Sequence, residues 1–294
     1  LEQVRQLRTD WRMVALVATS ILPIWLLAGY LLLSSFNHSR QGLEQSLAVA
    51  AQTQMRRVEQ EMAALAATLQ ALSTSPSLDH QDYAAFYVQA EEVLRQSAGK
   101  AIVLLGPKGE QRLNTFLPLG QPLPVQPPKF FAPVAESRQA VLSDLFLGPV
   151  SGVPMVSLAV PILRNGQLLG ALSMAFDSAH LNPFIRQEGY PGSWVGAILD
   201  SSGTIVARVR EPEKYVGRQP APAVLEAVRA APHGIVTLTS LEGSHILASY
   251  QRSERLGWTF IVAVPQDSLE AELWHSLFLS LASALLLMLF SIVT

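Results

Sequence analysis

The chain has 294 residues, 49% of them hydrophobic and 15% charged, with a net charge of −2 and no cysteine. That length allows about two domains. The charge balance, with no basic tract interleaved with aromatics, argues against a nucleic-acid surface, and the absence of cysteine excludes disulfides, zinc–thiolate sites and thiol chemistry.

The mean hydropathy of +0.27 is high for a soluble protein, and the excess lies at the two ends. Residues 13–33, MVALVATSILPIWLLAGYLLL, carry no charge, and neither do residues 273–294, LWHSLFLSLASALLLMLFSIVT. Each reaches the roughly 20 apolar residues that a helix needs to span a bilayer, which predicts two transmembrane helices. Pro23 is tolerated in such a helix. The first run exceeds the ~7–15 residues of a signal-peptide core and no small-x-small site follows it, so it reads as an uncleaved anchor. Arg5, Arg8 and Arg12 precede it, whereas only Arg40 follows before Arg56. The positive-inside rule therefore puts residues 1–12 in the cytoplasm, 36–272 outside, and the exit helix and second span, 266–294, back across the membrane. The chain reads as part of a longer protein.

In the outer region, residues 40–73 predict one long helix within a stalk of 36–78. Leu43, Leu47, Ala50, Val58, Met62, Leu65, Leu69 and Leu72 form one apolar stripe. Pro76 breaks it, and Asp79 or Asp82 is placed to cap a second helix ending near Gln96. A capped helix start accounts for Asp79, His80 and Asp82 better than a metal cluster does, because ligands so close in sequence cannot all face one ion from a helix.

Strand signals follow at 101–105, 111–116, 141–147, 153–162 and 167–176. Between the second and third, residues 117–138 make a proline-rich excursion of the length associated with function. Asn165-Gly166 marks a hairpin. A short helix at 178–188 leads to GYPGSW, the boundary between a module at 79–190 and another at 191–265. The second module predicts strands at 194–199 and 204–209, a helix at 221–230, and strands at 234–240, 245–251 and 258–264.

The two modules repeat one plan. VLLGPKGEQRLN (103–114) and AILDSSGTIVAR (197–208) share an apolar strand, a glycine turn and an amphipathic strand, with Gly109 and Gly203 in matching places. GALSMAFDSAHL and GWTFIVAVPQDSL both run from a glycine through a strand to a polar helix start. The expected fold class is α+β: a long N-terminal helix with two tandem antiparallel-sheet modules, flanked by two transmembrane helices.

With KAIVLLGPKGEQRLNT, AVLSDLFLGPVSGVPMVSLAVPI and GQLLGALSMAFD in the first module, and WVGAILDSSGTIVAR and YQRSERLGWTFIVAVP in the second, the chain resembles the double Cache sensor domains of bacterial transmembrane receptors. The resemblance covers the whole chain and implies a membrane-distal and a membrane-proximal PAS-like module, a periplasmic position and an inner-membrane receptor. LNTFLPLG with VLSDLFLGPVSG looks most like the outer domains of sensor histidine kinases; diguanylate cyclases and chemoreceptors carry similar domains. The implied parent is a two-component histidine kinase with its output domain beyond Thr294. Amino-acid-binding members carry an Arg-x-Trp-Tyr motif for the α-carboxylate. The corresponding stretch here, PPKFFAPVAESR, has Phe130 and Phe131 and no arginine immediately before them, which argues against an α-amino acid.

The resemblance also implies a pocket on one face of the distal sheet, closed by the 117–138 lid. The candidate ligand-binding residues are Phe130 and Phe131 as apolar walls, with Asn114, Ser143, Asp144 and Ser157 as convergent polar groups. The competing readings are ordinary core for the phenylalanines, edge solvation for Asp144, and side-chain-to-backbone bonds holding the lid for Asn114. Lys129 or Arg112 could complement an anion. The expected partners are a small organic ligand, with carboxylic acids among the candidates, the lipid bilayer and a second copy of the chain. No nucleic acid, cofactor or metal is expected.

Two rival classes stand beside the sensor. For an envelope hydrolase, Ser97-Ala98-Gly99-Lys100 fits Ser-x-x-Lys but has no Lys-Thr-Gly partner. There is no Gly-x-Ser-x-Gly, His-Glu-x-x-His, P-loop or Gly-x-Gly-x-x-Gly, and the 6 histidines are scattered. The visible chain therefore has no expected catalytic residue. For a structural dimerisation module, the 40–73 stripe could pair with its twin or pack on its own modules, and both uses are expected along different parts of the helix.

Overall fold

The computed structural model describes the backbone of residues 2–97, 99–185 and 194–266, with 278, 279 and 282 beyond them, and side chains continuously within these ranges from Arg40 onward. The first helix, α1, runs unbroken over Glu2–Ser73. Most side chains of the first predicted span, and nearly all of the second, lie outside the described residues, as does the GYPGSW boundary apart from Trp194. Among the described residues no helix is long and apolar enough to cross a membrane.

Leu47–Gln266 forms one compact unit, with the C-terminal part of α1 inside it. The predicted stripe is buried there, at Leu47, Ala50, Val58, Met62, Leu65, Leu69 and Leu72. Each large aliphatic side chain so buried contributes roughly 1.5–3 kcal/mol. Arg56, Arg57, Gln60, Ala64 and Ala67 line the exposed side. From residue 47 on, packing on its own modules thus accounts for the whole stripe. Pro76 then opens a single turn, α2 (Pro76–Asp79), under a Ser75 cap. Asp82 caps α3 (Tyr83–Arg95), accepting from the Ala85 amide at 3.0 Å. Asp79 instead pairs with Arg164 at 2.8 Å.

The distal sheet contains β1 (Ala101–Leu105), β2 (Gln111–Asn114), β3 (Val141–Leu142), β4 (Phe146–Leu147), β5 (Pro154–Arg164) and β6 (Gln167–Asp177). Its order is β2-β1-β6-β5-β3, with β4 also on β5. The strand predicted at 141–147 is two short strands because the chain leaves the ladder at Asp144 and Leu145, after a last bond from the Ser143 amide to the Ser157 carbonyl at 2.8 Å. At that break the Ser143 Oγ accepts from the Ser157 amide at 2.9 Å, replacing a ladder bond. Helix α4 (Phe131–Ser137) lies in the excursion between β2 and β3. After β6 come a 3₁₀ turn, Ser178–Leu181, and α5, Asn182–Ile185. The remainder of the helix predicted at 178–188 lies outside the described residues.

The proximal sheet contains β7 (Val195–Leu199), β8 (Ile205–Arg208), β9 (His233–Thr239), β10 (His245–Arg252) and β11 (Thr259–Pro265), with α6 (Pro212–Tyr215) and α7 (Pro222–Ala230) between β8 and β9. Its order, β8-β7-β11-β10-β9, repeats that of the distal sheet, so the internal repeat read from pattern is a repeat of topology. The hairpin glycines confirm the match: Gly109 and Gly203 have φ of 81° and 85°, a region that a Cβ makes costly.

Candidate functional site

Strand pairing decides which side chains share a face, since directly opposed residues point the same way. In the distal sheet one transverse row reads Asn114, Val103, Ser173, Ala159 and Val141. Beside it run Ala101, Ala175 and Ser157, and on the other side Leu105, Ala171 and Pro161. This is the face that the lid covers: Phe130, Phe131 and Val134 pack on Val103, Leu105, Ala159 and Ala171. The opposite face carries the larger residues Ile102, Leu104, Leu158, Leu172, Met174 and Phe176, all buried.

The lid face is thus floored by alanines and serines and roofed by two phenylalanines. Phe130 also meets Phe146, with ring centroids 6.4 Å apart. Phe131 lies under the β1–β2 hairpin, where a Cβ on Gly109 would fall 2.8 Å from its ring.

The polar residues expected at a site fall into three groups. Asn114 and Ser157 are on the lid face. Asn114 Oδ1 accepts from the Phe116 amide and its Nδ2 donates to Gln111, both at 3.0 Å, so its side chain ties the start of the lid. The Ser157 hydroxyl donates to the Met174 carbonyl at 3.3 Å. Ser143 lies at the edge, bonding Ser157 and the Asp144 carbonyl. Asp144 is drawn elsewhere: its carboxylate accepts from the Ser201 amide at 3.0 Å and the Ser201 hydroxyl at 2.6 Å, in the β7–β8 turn of the proximal module. Asp200 answers from that turn, accepting from the Leu145 amide at 3.0 Å.

One residue was not singled out from the sequence. Ser173 is 0% exposed, at the centre of the lid face, and its Oγ has no hydrogen-bond partner. A buried hydroxyl left unpaired costs about 1–3 kcal/mol. The signal in the sequence was a lone serine in an otherwise apolar strand.

Neither candidate cation is at the site. Lys129 is exposed. Arg112 donates to the Tyr83 hydroxyl at 3.0 Å and to Glu110. The Tyr83 bond, supported by Glu110 and opposed by burial, holds the guanidinium pKa above its ordinary value.

The proximal module provides an internal control. Its equivalent row reads Arg208, Ala197, Ile261, Tyr250 and Gly234. Ile261 stands where the distal sheet has Ser173, and Tyr250 where it has Ala159. Tyr215, Val224, Val228 and Leu238 fill the space above. The Tyr250 hydroxyl is satisfied by the Ala227 carbonyl at 2.9 Å. Arg208 lies over the Tyr215 ring, 4.2 Å from its centroid, and pairs with Glu242. A separate cleft of about 200 Å³ opens between Pro154 and Asn182 on one side and Ala207 and Pro212 on the other.

No protein-family model matches the chain, and no curated protein sequence does. Solved structures do. The ligand-binding domain of Mlp24 with asparagine is 16% identical with a TM-score of 0.62, over 81% of this chain and 99% of that one. The ligand-binding domain of the Pseudomonas aeruginosa PAO1 amino acid chemoreceptor PctB, in complex with L-Arg, is 16% identical with a TM-score of 0.61, over 78% and 97%. The extracellular domain of rpHK1S-Z16, assigned as a histidine kinase, is 17% identical with a TM-score of 0.58, over 81% and 97%. At these identities the likeness is one of fold: the chain has the double Cache-like fold of receptor sensor domains.

Proposed function

We propose that this chain is the extracytoplasmic ligand-sensing region of a transmembrane signal-transduction receptor of the bacterial inner membrane. It binds a small organic molecule between the distal sheet and its 117–138 lid. The observation that carries this reading is the contrast between two faces built on one topology. The proximal face is closed by Ile261, Tyr250 and Tyr215, whereas the distal face has Ser173, Ala159 and Ala171 at its centre and a buried hydroxyl with no partner. Phe130 and Phe131 supply the apolar wall. Ser157 and Ser173 supply hydrogen-bonding groups, and Asn114 and Ser143 hold the rim. The fold shared with domains that bind asparagine and L-Arg supports a sensing role.

A ligand signals only as far as it favours one conformation over another. Binding under the lid acts on Ser157, whose amide is held by Ser143, and so on the 143–145 segment that grips the β7–β8 turn. The proposed output is that of a sensor histidine kinase; a chemoreceptor output is the second reading, favoured by the PctB likeness. Calorimetry with a panel of amino acids, carboxylates, amides and polyols tests the binding reading. Saturable binding that Ser173→Ala and Phe131→Ala weaken is expected; a hit that instead responds only to changes at Tyr250 and Ile261 would move the site to the proximal module. Topology is checked separately by cysteines at exposed Ser202 and at Thr9 in intact cells. An impermeant thiol reagent should label the first, and labelling at Thr9 alone would refute the orientation.

A further inference from the structure

Resting on the distal site proposed above, we infer that its ligand is a small uncharged molecule bearing a hydroxyl or amide, hydrogen-bonded by Ser173, and not an amino acid or a carboxylate. The polar side chains that the centre of the sheet and its edge turn toward the lid, at Asn114, Ser143, Ser157 and Ser173, are neutral; Gln111 beside them is bonded to Asn114, and the one acidic group on that face, Asp177, stands at its end. The charged groups nearby are paired, held by neutral partners or exposed. Arg112 is held by Tyr83 and Glu110. Lys100 faces Asp177 at 3.7 Å where the lid face ends. Asp144 is held by Ser201, and the Arg138 guanidinium donates to the Gly166 carbonyl. Lys129 and Glu136 of the lid are exposed.

An ionised carboxylate or ammonium brought under Phe130 and Phe131 would lose its water and find no opposite charge. A hydroxyl or amide needs only the kind of partner that Ser173 offers. The Ser173 Oγ can donate and accept, and it alone among those four polar groups has no partner within the protein. The small floor of Ala101, Ala159, Ala171 and Ala175 suits a compact ligand.

The test uses the full chain in lipid nanodiscs, titrated calorimetrically with short-chain diols, triols and amides and, in parallel, with the common L-amino acids and short-chain carboxylates. A hit is expected among the uncharged compounds, with affinity independent of ionic strength, since no charge is there to be screened. Ser173→Ala should weaken it about tenfold, the equivalent of one lost hydrogen bond. The same variant removes an unpaired buried hydroxyl, so the ligand-free protein should melt at the same temperature or higher. A fall in its melting temperature would show that the hydroxyl has a structural partner and would overturn the inference. Tight binding of an amino acid or carboxylate, weakened by Ser173→Ala, overturns the ligand class and leaves the site standing. A hit of either class that Ser173→Ala and Phe131→Ala leave unchanged overturns the site itself, and no binding across the panel overturns both.

Discussion

Gly109 holds φ at 81° with Phe131 directly beneath it, so this turn and the lid share one constraint. An L-residue in that region costs ~1–2 kcal/mol from its backbone alone. At Gly109 the new Cβ would also meet an aromatic ring at 2.8 Å, inside a packed cluster. At Gly203 it meets only the tip of Leu225, at 2.6 Å, which can rotate away. Gly109→Ala should therefore destabilise more than Gly203→Ala, by about 2–3 against about 1–2 kcal/mol in urea unfolding. Only the distal change should impair ligand binding; equal loss of binding from both would separate the lid from the hairpin. Both turns were legible in the sequence, as glycines after an apolar strand. Ser173 was not, for a reason of register. Aligning the two last strands on Gly170 and Gly257 sets Ser173 against Phe260, yet the sheet sets it against Ile261. A slip of one residue exchanges the faces of a strand, and with them the difference between core and pocket.

Among the elements, the segment between β3 and β4 departs furthest from its sequence pattern. VLSDLFL alternates well enough to read as one strand, and a strand would point Asp144 at a sheet face. The ladder instead breaks where Ser143 substitutes its hydroxyl for a backbone partner, and Asp144 and Leu145 turn toward the β7–β8 hairpin. No local pattern announces that, because the acceptor is supplied 55 residues later. Asp200, 3% exposed, is the centre of the contact: it takes the Ser202 amide and hydroxyl and the Thr204 amide on one oxygen and Leu145 on the other. Asp200→Ala should cost about 1–3 kcal/mol, since the part-buried Leu145 and Thr204 amides lose their acceptor; Asp200→Asn keeps one accepting oxygen and should cost about half as much. Equal melting temperatures for the two variants would assign the effect to charge. Helix α1 shows the opposite case, a pattern that was legible but open to two explanations. Its stripe is occupied by the chain's own modules, so cysteines at Met62 or Leu65 should not cross-link two copies of the chain. A strong cross-link there would require the stripe to leave its present burial.

On the scale of the whole unit, a chain of polar contacts joins the two modules, and it starts beside the proposed site. Ser157 is joined to Ser143, Ser143 to Asp144, Asp144 to Ser201, and Leu145 to Asp200. From the proximal side, Ser253 donates to Glu59 on α1, and from the distal side Arg164 bonds the Ser73 carbonyl at the end of the same helix. A domain that transmits strain between its modules should unfold as one body, and the tryptophan positions make this measurable. Within 41–266 the only tryptophans are Trp194 and Trp258, both proximal, so their fluorescence reports one module while far-ultraviolet dichroism reports both. In the unaltered 41–266 region the two signals should trace one transition in urea. In the double variant Asp144→Ala, Asp200→Ala they should separate, because the variant removes hydrogen bonds that span the boundary. A cycle of Asp144→Ala and Ser201→Ala should give a coupling energy of about 1–2 kcal/mol, within the range for residues that touch directly. Coincident transitions in the double variant, or a coupling energy near zero, would mean that other contacts unite the modules, and a signal from the proposed site would then have to bypass the β7–β8 turn.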